Sequence, residues 1–107
     1  MAYTPKRGDI IWTDFDPSAG QAKQRPALVL SAEPFNKQIK LALVAPITST
    51  IRGHGFEVKL AKTKTQGVVM CQQIKTIDYV GRGAEFIEKI PTLLLNQVLV
   101  KVRVIVD

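Results

Sequence analysis

The recurrence of short β-forming segments between turn signals is the sequence feature that most constrains the fold of this chain. These segments lie at 9–15, 27–32, 40–48, 56–61, 67–78 and 81–89. The stretches between them are rich in Gly, Pro, Ser and polar residues, which favour turns and loops. Short strands with a turn signal about every 8 to 12 residues are typical of a small barrel of the SH3-like or OB-like kind.

Two further parts of the chain lie outside these predicted strands. The segment EPFNKQ at 33–38 is predicted to be a turn. The segment at 91–107 permits two interpretations, because Pro91 and the Leu-rich residues after it suit the start of a helix. The alternation of valines with Lys101, Arg103 and Ile105 suits a strand instead. The residue pattern alone leaves both interpretations open.

Length and composition narrow the class of protein. The 107 residues fit one domain over 1–107, and an apolar content of 46% argues against widespread disorder. No apolar run reaches the roughly 18 residues of a membrane span, and the N-terminal residues lack the apolar core of a signal peptide. We therefore expect a cytoplasmic protein with no membrane partner. Cys71 is the only cysteine and His54 the only histidine, so no disulfide, metal site or cofactor is expected.

The charge balance indicates the kind of partner. Fifteen Lys and Arg against nine Asp and Glu give a formal net charge of +6. On so small a surface this charge favours nucleic acid, an acidic protein segment or anionic lipid. The alternative is a basic protein whose charge serves only solubility.

Four segments, in order along the chain, resemble the MazF/PemK family of toxins, and most closely its plasmid-type PemK/Kid branch. They are GDIIWTDFDPSAG (8–20), RPALVLS (25–31), LVAPITS (43–49), and GVVMCQQIKTID followed by GRGA (67–84). The C-terminal PTLLLNQVLVKV also resembles the final helix of this family, which favours the helical interpretation. The resemblance implies a mainly β fold, an SH3-like small β-barrel with a C-terminal helix.

The same resemblance implies a function. Members are toxin components of type II toxin–antitoxin systems and cleave single-stranded RNA sequence-selectively, without a metal ion, to leave a 2′,3′-cyclic phosphate and a 5′-hydroxyl. It also implies a homodimer whose RNA groove crosses the dimer interface. A cognate antitoxin with an acidic, disordered tail is expected to fill the same groove.

Two residues are the candidates for catalysis. Metal-free RNA cleavage needs a base for the 2′-hydroxyl, stabilisation of charge on the phosphoryl group, and an acid for the leaving oxygen. Arg25 stays charged and can bind phosphoryl oxygens bidentately, and the Thr48 hydroxyl can donate to the same group. Taken singly they would be ordinary surface and turn residues. The matching arginine and threonine of the family lie in its active site, and the assignment follows from that correspondence.

The sequence departs from the family pattern at the residues assigned to proton transfer. The loop GQAKQRP (20–26) has neither a carboxylate nor a histidine, and Met70 and Gln72 stand where the PemK/Kid branch has Arg and Asp. Glutamine cannot take up a proton at neutral pH. We therefore expect cleavage that depends mainly on charge stabilisation by Arg25 and Thr48, with water or Lys23 helping. A weakened toxin that retains RNA binding is the alternative.

Other residues are candidates for RNA contact, because cationic side chains bind phosphates and amides can read base edges. They are Gln21, Lys23, Gln24, Ser49, Arg52, Gln72, Gln73, Lys75 and Arg82. His54 is predicted to be an exposed loop residue rather than an acid. Trp12 and Phe56 are predicted to be core aromatics, and Cys71 a buried small hydrophobe rather than a nucleophile.

Two alternative functions stay open on sequence grounds. A toxin of the same barrel fold could instead poison DNA gyrase, as CcdB-like proteins do mainly through C-terminal residues. The RPALVLS and PITS segments argue against that alternative. An RNA-binding barrel without catalysis is the other possibility, since one fold can carry several functions.

Overall fold

The computed structural model describes residues 3–14, 24–50, 53 and 55–107, and the elements below are those of these residues. Within them the chain forms seven strands and two helices. In chain order these are β1 (Asp9–Asp14), β2 (Gln24–Val29), α1 (Glu33–Ile39), β3 (Ala42–Thr48), β4 (Glu57–Lys59), β5 (Val68–Met70), β6 (Lys75–Ile77), β7 (Glu85–Lys89) and α2 (Thr92–Val106).

The described strands form one antiparallel sheet in the order β4-β5-β3-β2-β1-β7, with β6 also pairing with β3. One edge of β3 pairs with β2. The other edge pairs with two strands, with β6 along the first half of β3 and with β5 at its end. Because β3 belongs to both parts, the sheet bends there into a barrel-like form. β4 and β7 stand at the two ends of the order, so these strands do not close the barrel by backbone hydrogen bonds.

Both faces of the sheet are covered. Ile10 and Ile11 are adjacent in β1 and both are fully buried, although neighbouring strand residues point to opposite faces. Ile10 belongs to a core cluster that includes Val98 of α2, and Ile11 to a second cluster with Val44 and Tyr79. Burial of each such aliphatic side chain stabilises the fold by about 1.5–3 kcal/mol. The helix predicted at the C-terminus is therefore confirmed, and it covers one of the two faces. No helix in the described part of the chain is long and apolar enough to cross a membrane.

The turn predicted at 33–38 is wrong, because these residues form α1. Glu33 and Pro34 lie in the first turn of the helix, where an acidic side chain is favourable and a missing amide hydrogen costs nothing. Lys40 ends the helix in a left-handed conformation with φ of 60°, and its amide donates to the carbonyl of Asn36. Pro and Asn are turn-forming types, and the short helix they stand in is held mainly by tertiary contacts.

Asn36 supplies several of those contacts, and it is fully buried. Its side-chain amide donates to the carbonyl oxygens of Pro5 at 2.9 Å and Ser31 at 3.1 Å, and its side-chain oxygen accepts from the Ser31 hydroxyl. The Tyr79 hydroxyl donates to the Asn36 main-chain carbonyl at 2.8 Å. One side chain thus joins the N-terminal segment, the end of β2 and α1.

The single strand predicted at 67–78 is also wrong, because it is interrupted. Val69 of β5 lies opposite Ile47, and Thr76 of β6 lies opposite Leu43. Continuing the register of β5 would place Gln73 opposite Leu43, so three residues leave the ladder between the two strands. They form a turn in which the amide of Gln73 donates to the carbonyl of Met70 at 3.1 Å. The other predicted strands are confirmed with shifted ends.

Replacing Asn36 with Ala should lower the free energy of unfolding by about 2 kcal/mol or more, because it leaves buried carbonyl groups without donors. Urea unfolding followed by circular dichroism measures this loss. The matched control is Gln38→Ala, an exposed position of the same helix. An Asn36→Ala protein within about 0.5 kcal/mol of the unaltered chain would contradict this role.

Candidate active site

The register between β2 and β3 brings the two catalytic candidates together. Ala27 lies opposite Pro46, and opposite residues of an antiparallel pair share a face of the sheet. Two residues further along, the same register aligns Arg25 with Thr48. Both side chains therefore leave the same face at the same end of the sheet, from strands about 4.8 Å apart.

The exposure and hydrogen bonding of these two residues would allow them to contact an anion such as a phosphate. Arg25 is exposed, and Thr48 is half-buried at the end of β3. The Thr48 hydroxyl oxygen accepts a hydrogen bond from the amide of Thr50 at 3.2 Å. The hydroxyl proton is not used in that bond, so the group can still donate to a phosphoryl oxygen.

Lys75 lies on the same face as Arg25. It is an exposed residue of β6 opposite Val44, and Val44 lies opposite Val29 of β2. Thr48 lies four positions after Val44, which corresponds to about 13 Å along the strand. Lys75 is thus placed to contact an anionic chain at some distance from Arg25 and Thr48.

Of the other candidates for RNA contact, four lie close to these strands. Gln24 precedes Arg25, Ser49 follows Thr48, and Gln72 and Gln73 occupy the turn between β5 and β6; all four are exposed. The remaining amide and cationic candidates, Gln21, Lys23 and Arg52, lie outside the described residues, and so does His54.

Arg82, a candidate for RNA contact, also makes hydrogen bonds within the fold. Its guanidinium donates to the carbonyl oxygen of Asp14 at 3.1 Å, and the Asp14 amide donates to the carbonyl of Arg82 at 3.4 Å. These bonds tie the turn before β7 to the end of β1, next to Gln24, which lies opposite Asp14. Arg82 therefore helps to hold the strand end beside Arg25.

The prediction that Trp12 and Phe56 belong to the core is wrong. Trp12 is 38% exposed and Phe56 is 37% exposed. The indole nitrogen of Trp12 donates to the side-chain oxygen of Gln24. By the alternation along β1 and β2, this pair lies on the face opposite to Arg25. Sequence pattern identifies such aromatics as strand residues but does not show which part of a sheet is left uncovered.

The end of β1 carries two polar side chains that are not among the predicted site residues. Within the described part of the chain, the Thr13 hydroxyl and one carboxylate oxygen of Asp14 are buried without a hydrogen-bond partner. Thr13 lies opposite Arg25, whereas Asp14 lies opposite Gln24 and so belongs to the other face of the sheet. The acidic DFD segment at 14–16 was the signal available in the sequence. The alternation of the strand nevertheless directs the Asp14 carboxylate away from the Arg25 and Thr48 pair.

Cys71 is fully buried, which confirms the prediction made from its apolar surroundings. Burial raises the pKa of its thiol to about 11, and the nearby charge of Lys101 offsets only part of that effect. The thiolate, which is the nucleophilic form, is therefore scarce at neutral pH.

Comparison with known proteins identifies the relatives of this architecture. A family model described as PemK-like, MazF-like toxin of type II toxin–antitoxin system matches residues 6–106. The endoribonuclease toxin MazF of Escherichia coli strain K12 is 43% identical over 84 residues, which cover 77% of this chain and 76% of the relative. Endoribonuclease PemK of Escherichia coli is 39% identical over 101 residues, which cover 88% of this chain and 76% of the relative.

Solved structures resemble the fold over nearly its full length. The crystal structure of MazF (Form-I) from Deinococcus radiodurans has a TM-score of 0.89 and 35% identity, covering 98% of each chain. A MazE-MazF crystal structure (Form-III) from the same organism has a TM-score of 0.90 and 34% identity, covering 97% of each chain. These neighbours confirm the predicted barrel-like fold with its C-terminal helix.

The burial and raised pKa of Cys71 predict that iodoacetamide will modify it very slowly in the folded protein at pH 7.5. In urea the thiol becomes exposed, its pKa returns to about 8.5, and modification should become fast. Mass spectrometry after timed quenching gives both rates. Equal rates in the two conditions would show that the thiol is accessible in the native state.

Proposed function

The chain belongs to the PemK-like, MazF-like toxin family of type II toxin–antitoxin systems and is an endoribonuclease toxin, and we propose that Arg25 and Thr48 form its catalytic pair. The observation that supports this proposal is the register of β2 and β3 at Ala27 and Pro46, whose continuation by two residues places Arg25 opposite Thr48 on one face of the sheet. A cation and a hydroxyl donor at the same strand end are suited to a phosphoryl group. The proposed substrate is single-stranded RNA, and its proposed place of action is the cytoplasm, where mRNA is translated.

The proposed reaction is an internal transesterification that uses no metal ion. The 2′-oxygen attacks the adjacent phosphorus, and the bond from phosphorus to the 5′-oxygen breaks. The Arg25 guanidinium and the Thr48 hydroxyl stabilise the charge that builds up on the non-bridging oxygens. Solvent water takes the 2′-hydroxyl proton and returns a proton to the leaving oxygen. The products are a 2′,3′-cyclic phosphate and a 5′-hydroxyl.

Charge stabilisation is the main catalytic effect in this proposal. Preorganised donors aimed at developing negative charge are often the largest contribution to catalysis, and loss of one donor typically costs about 10²–10³ in kcat. Among the described residues at this end of the sheet, the carboxylate of Asp14 belongs to the face opposite Arg25. Arg25 and Thr48 are therefore the groups on which the proposed mechanism depends.

RNA binding in this proposal extends along the sheet from the catalytic pair. Lys75 provides a phosphate contact on the same face, and Ser49, Gln72 and Gln73 provide hydroxyl and amide groups nearby. The Gln24 side chain, which accepts from Trp12 on the other face, is not part of this surface. A formal net charge of +6 attracts the polyanion over a longer range. Binding of this kind weakens steeply with salt, because phosphate contacts release counterions.

The proposed protein partners are an antitoxin and a second copy of the chain. Solved relatives from Deinococcus radiodurans are MazE-MazF complexes, at 31–34% identity to this chain. An acidic segment of such an antitoxin would compete with RNA for the same cationic surface. We propose that a single domain over 1–107 carries out RNA cleavage and also binds the antitoxin and the second copy.

The outer face of α2 is the proposed surface for the second copy. Leu93, Val100 and Val104 are 71%, 57% and 66% exposed, respectively. Their spacing places them along one side of the helix, away from the side that packs on the core. Exposed apolar side chains that recur along one side of a helix in this way are typical of a protein–protein interface.

Arg25→Ala and Thr48→Ala should each reduce RNA cleavage in EDTA by about 10²-fold or more. The assay is incubation of purified protein with a long single-stranded RNA, with mapping of cut sites and detection of cyclic-phosphate ends. Lys37→Ala, an exposed α1 lysine, controls for loss of charge. Thr76→Ala, an exposed strand threonine on the opposite face, controls for loss of a hydroxyl.

Two outcomes would contradict this proposal. Full cleavage by both variants would remove Arg25 and Thr48 from the catalytic site. Intact RNA with the unaltered protein, together with growth arrest when it is expressed, would replace the nuclease with a poison of a protein target such as DNA gyrase.

Val100→Asp should convert a dimer into a monomer, because it buries a charge at the proposed interface. Size-exclusion chromatography with light scattering measures the mass. Phe35→Asp is the control, since Phe35 is an exposed apolar residue of α1, outside the proposed face. A Val100→Asp protein that remains a dimer would move the interface away from α2.

A further inference from the structure

We propose that Gly67 is a positioning residue for Thr48, and that it acts by fixing the peptide between Thr48 and Ser49. The inference rests on the proposed catalytic role of Thr48. Thr48 lies opposite Val68 in the β3–β5 ladder, so Gly67 is the residue immediately before its partner. The loop before β5 thereby packs directly against the backbone of the active-site threonine.

Only glycine fits at this position. Gly67 has φ of +126°, a conformation that side-chain-bearing L-residues rarely adopt. A Cβ atom there would lie 2.9 Å from the carbonyl carbon of Thr48 and 3.4 Å from the amide nitrogen of Ser49, and closer still to the Thr48 carbonyl oxygen. All three atoms belong to backbone, so they cannot yield by a change of rotamer. A side chain at 67 must therefore move the loop or the Thr48–Ser49 peptide.

The loop before β5 is held by hydrogen bonds to two other parts of the structure. The Leu60 amide donates to the Gly67 carbonyl at 2.9 Å. The Glu88 carboxylate accepts from the amides of Lys64 at 3.0 Å and Thr65 at 2.7 Å, and from the Thr65 hydroxyl at 2.8 Å. Desolvation raises the pKa of Glu88, but these hydrogen bonds outweigh it and leave the pKa below its usual range. The carboxylate is therefore ionised at neutral pH and anchors the loop.

The Thr48–Ser49 peptide, in contrast, lies at the end of a strand. The described contact that holds the Thr48 hydroxyl is the bond from the Thr50 amide at 3.2 Å. A shift of the peptide changes the direction of that hydroxyl toward a phosphoryl oxygen. Misplacement of a catalytic group by about 1 Å can cost about 10²-fold in rate. Gly67 thus keeps the hydroxyl in place by allowing close approach of two backbones.

Gly8 provides a control for backbone strain elsewhere in the fold. It also has a positive φ, +92°, and a Cβ there would lie 3.2 Å from the Cδ2 atom of Leu95 in α2. Gly8→Ala therefore imposes a similar backbone strain without contact to Thr48, and its crowding is milder because a leucine side chain can shift. A loss of activity caused by the strain of a positive φ alone should appear in both glycine variants.

The test is a double-mutant cycle on the cleavage of a short RNA that carries one mapped site, measured below the melting temperature of every variant. Gly67→Ala should lower kcat by at least 10-fold and change KM less than threefold, and Gly8→Ala should leave both close to normal. In a Thr48→Ala background, Gly67→Ala should add less than a twofold loss, because the group it positions is gone.

The outcomes separate this inference from the proposed function. If Thr48→Ala itself retains normal kcat, the catalytic role of Thr48 fails. If Thr48→Ala is impaired but Gly67→Ala is normal, or multiplies the loss in the double variant, only the positioning role fails.

A second variant covers the case in which Gly67→Ala does not fold. Thr65→Val removes one hydrogen bond to Glu88 without a steric clash. It should lower kcat at least threefold, with no further loss in the Thr48→Ala background. Unchanged kcat in Thr65→Val would overturn the anchoring argument.

Discussion

The pairing of β3 on both of its edges is the constraint on which the rest of the structure depends. One edge sets the register with β2 and so aligns Arg25 with Thr48. The other edge pairs Thr48 with Val68 and so brings Gly67 against its backbone. A slip of one residue on either edge would turn every side chain of the slipped strand to the other face. Fold and candidate site are therefore determined by the same set of backbone hydrogen bonds.

The sequence predicted most of the strands because the covered faces impose regular apolar patterns on β1 and β3. The pattern of the C-terminal segment suited a helix and a strand equally, and the correct prediction of α2 came from the resemblance to the family. It failed where a tertiary contact decides the local structure. α1 forms because the buried side chain of Asn36 bridges three segments, and nothing in EPFNKQ reveals those partners. The break after Met70 follows from two different registers on β3, which depend on residues distant in sequence. The exposure of Trp12 likewise depends on what covers the sheet.

In the candidate site, too, some residues could be predicted from the sequence and others could not. Arg25 and Thr48 were predicted from the segments that resemble the family, and continuing the register of β2 and β3 places them opposite each other. The groups for proton transfer could not be identified, because the sequence lacks the expected carboxylate and histidine before Arg25. The contact of Gly67 with Thr48 was also not predictable, since nineteen positions separate the two residues in the chain. Where two backbones that are distant in sequence approach closely, the sequence shows only that one position is a glycine.

The proposed dimer face lies next to a residue that contacts the chain a few positions after the proposed catalytic threonine. The segment that follows Thr48 runs to Gly55, whose carbonyl accepts a hydrogen bond from Lys101 of α2. Lys101 follows Val100 directly, and Val100 belongs to the exposed stripe of the helix. A second copy bound to that stripe would therefore contact the helix beside the residue that bonds Gly55. Gly67 packs against the Thr48–Ser49 peptide, so the proposed dimer face and the proposed positioning contact act on Gly55 and Thr48, two described positions seven residues apart in the chain.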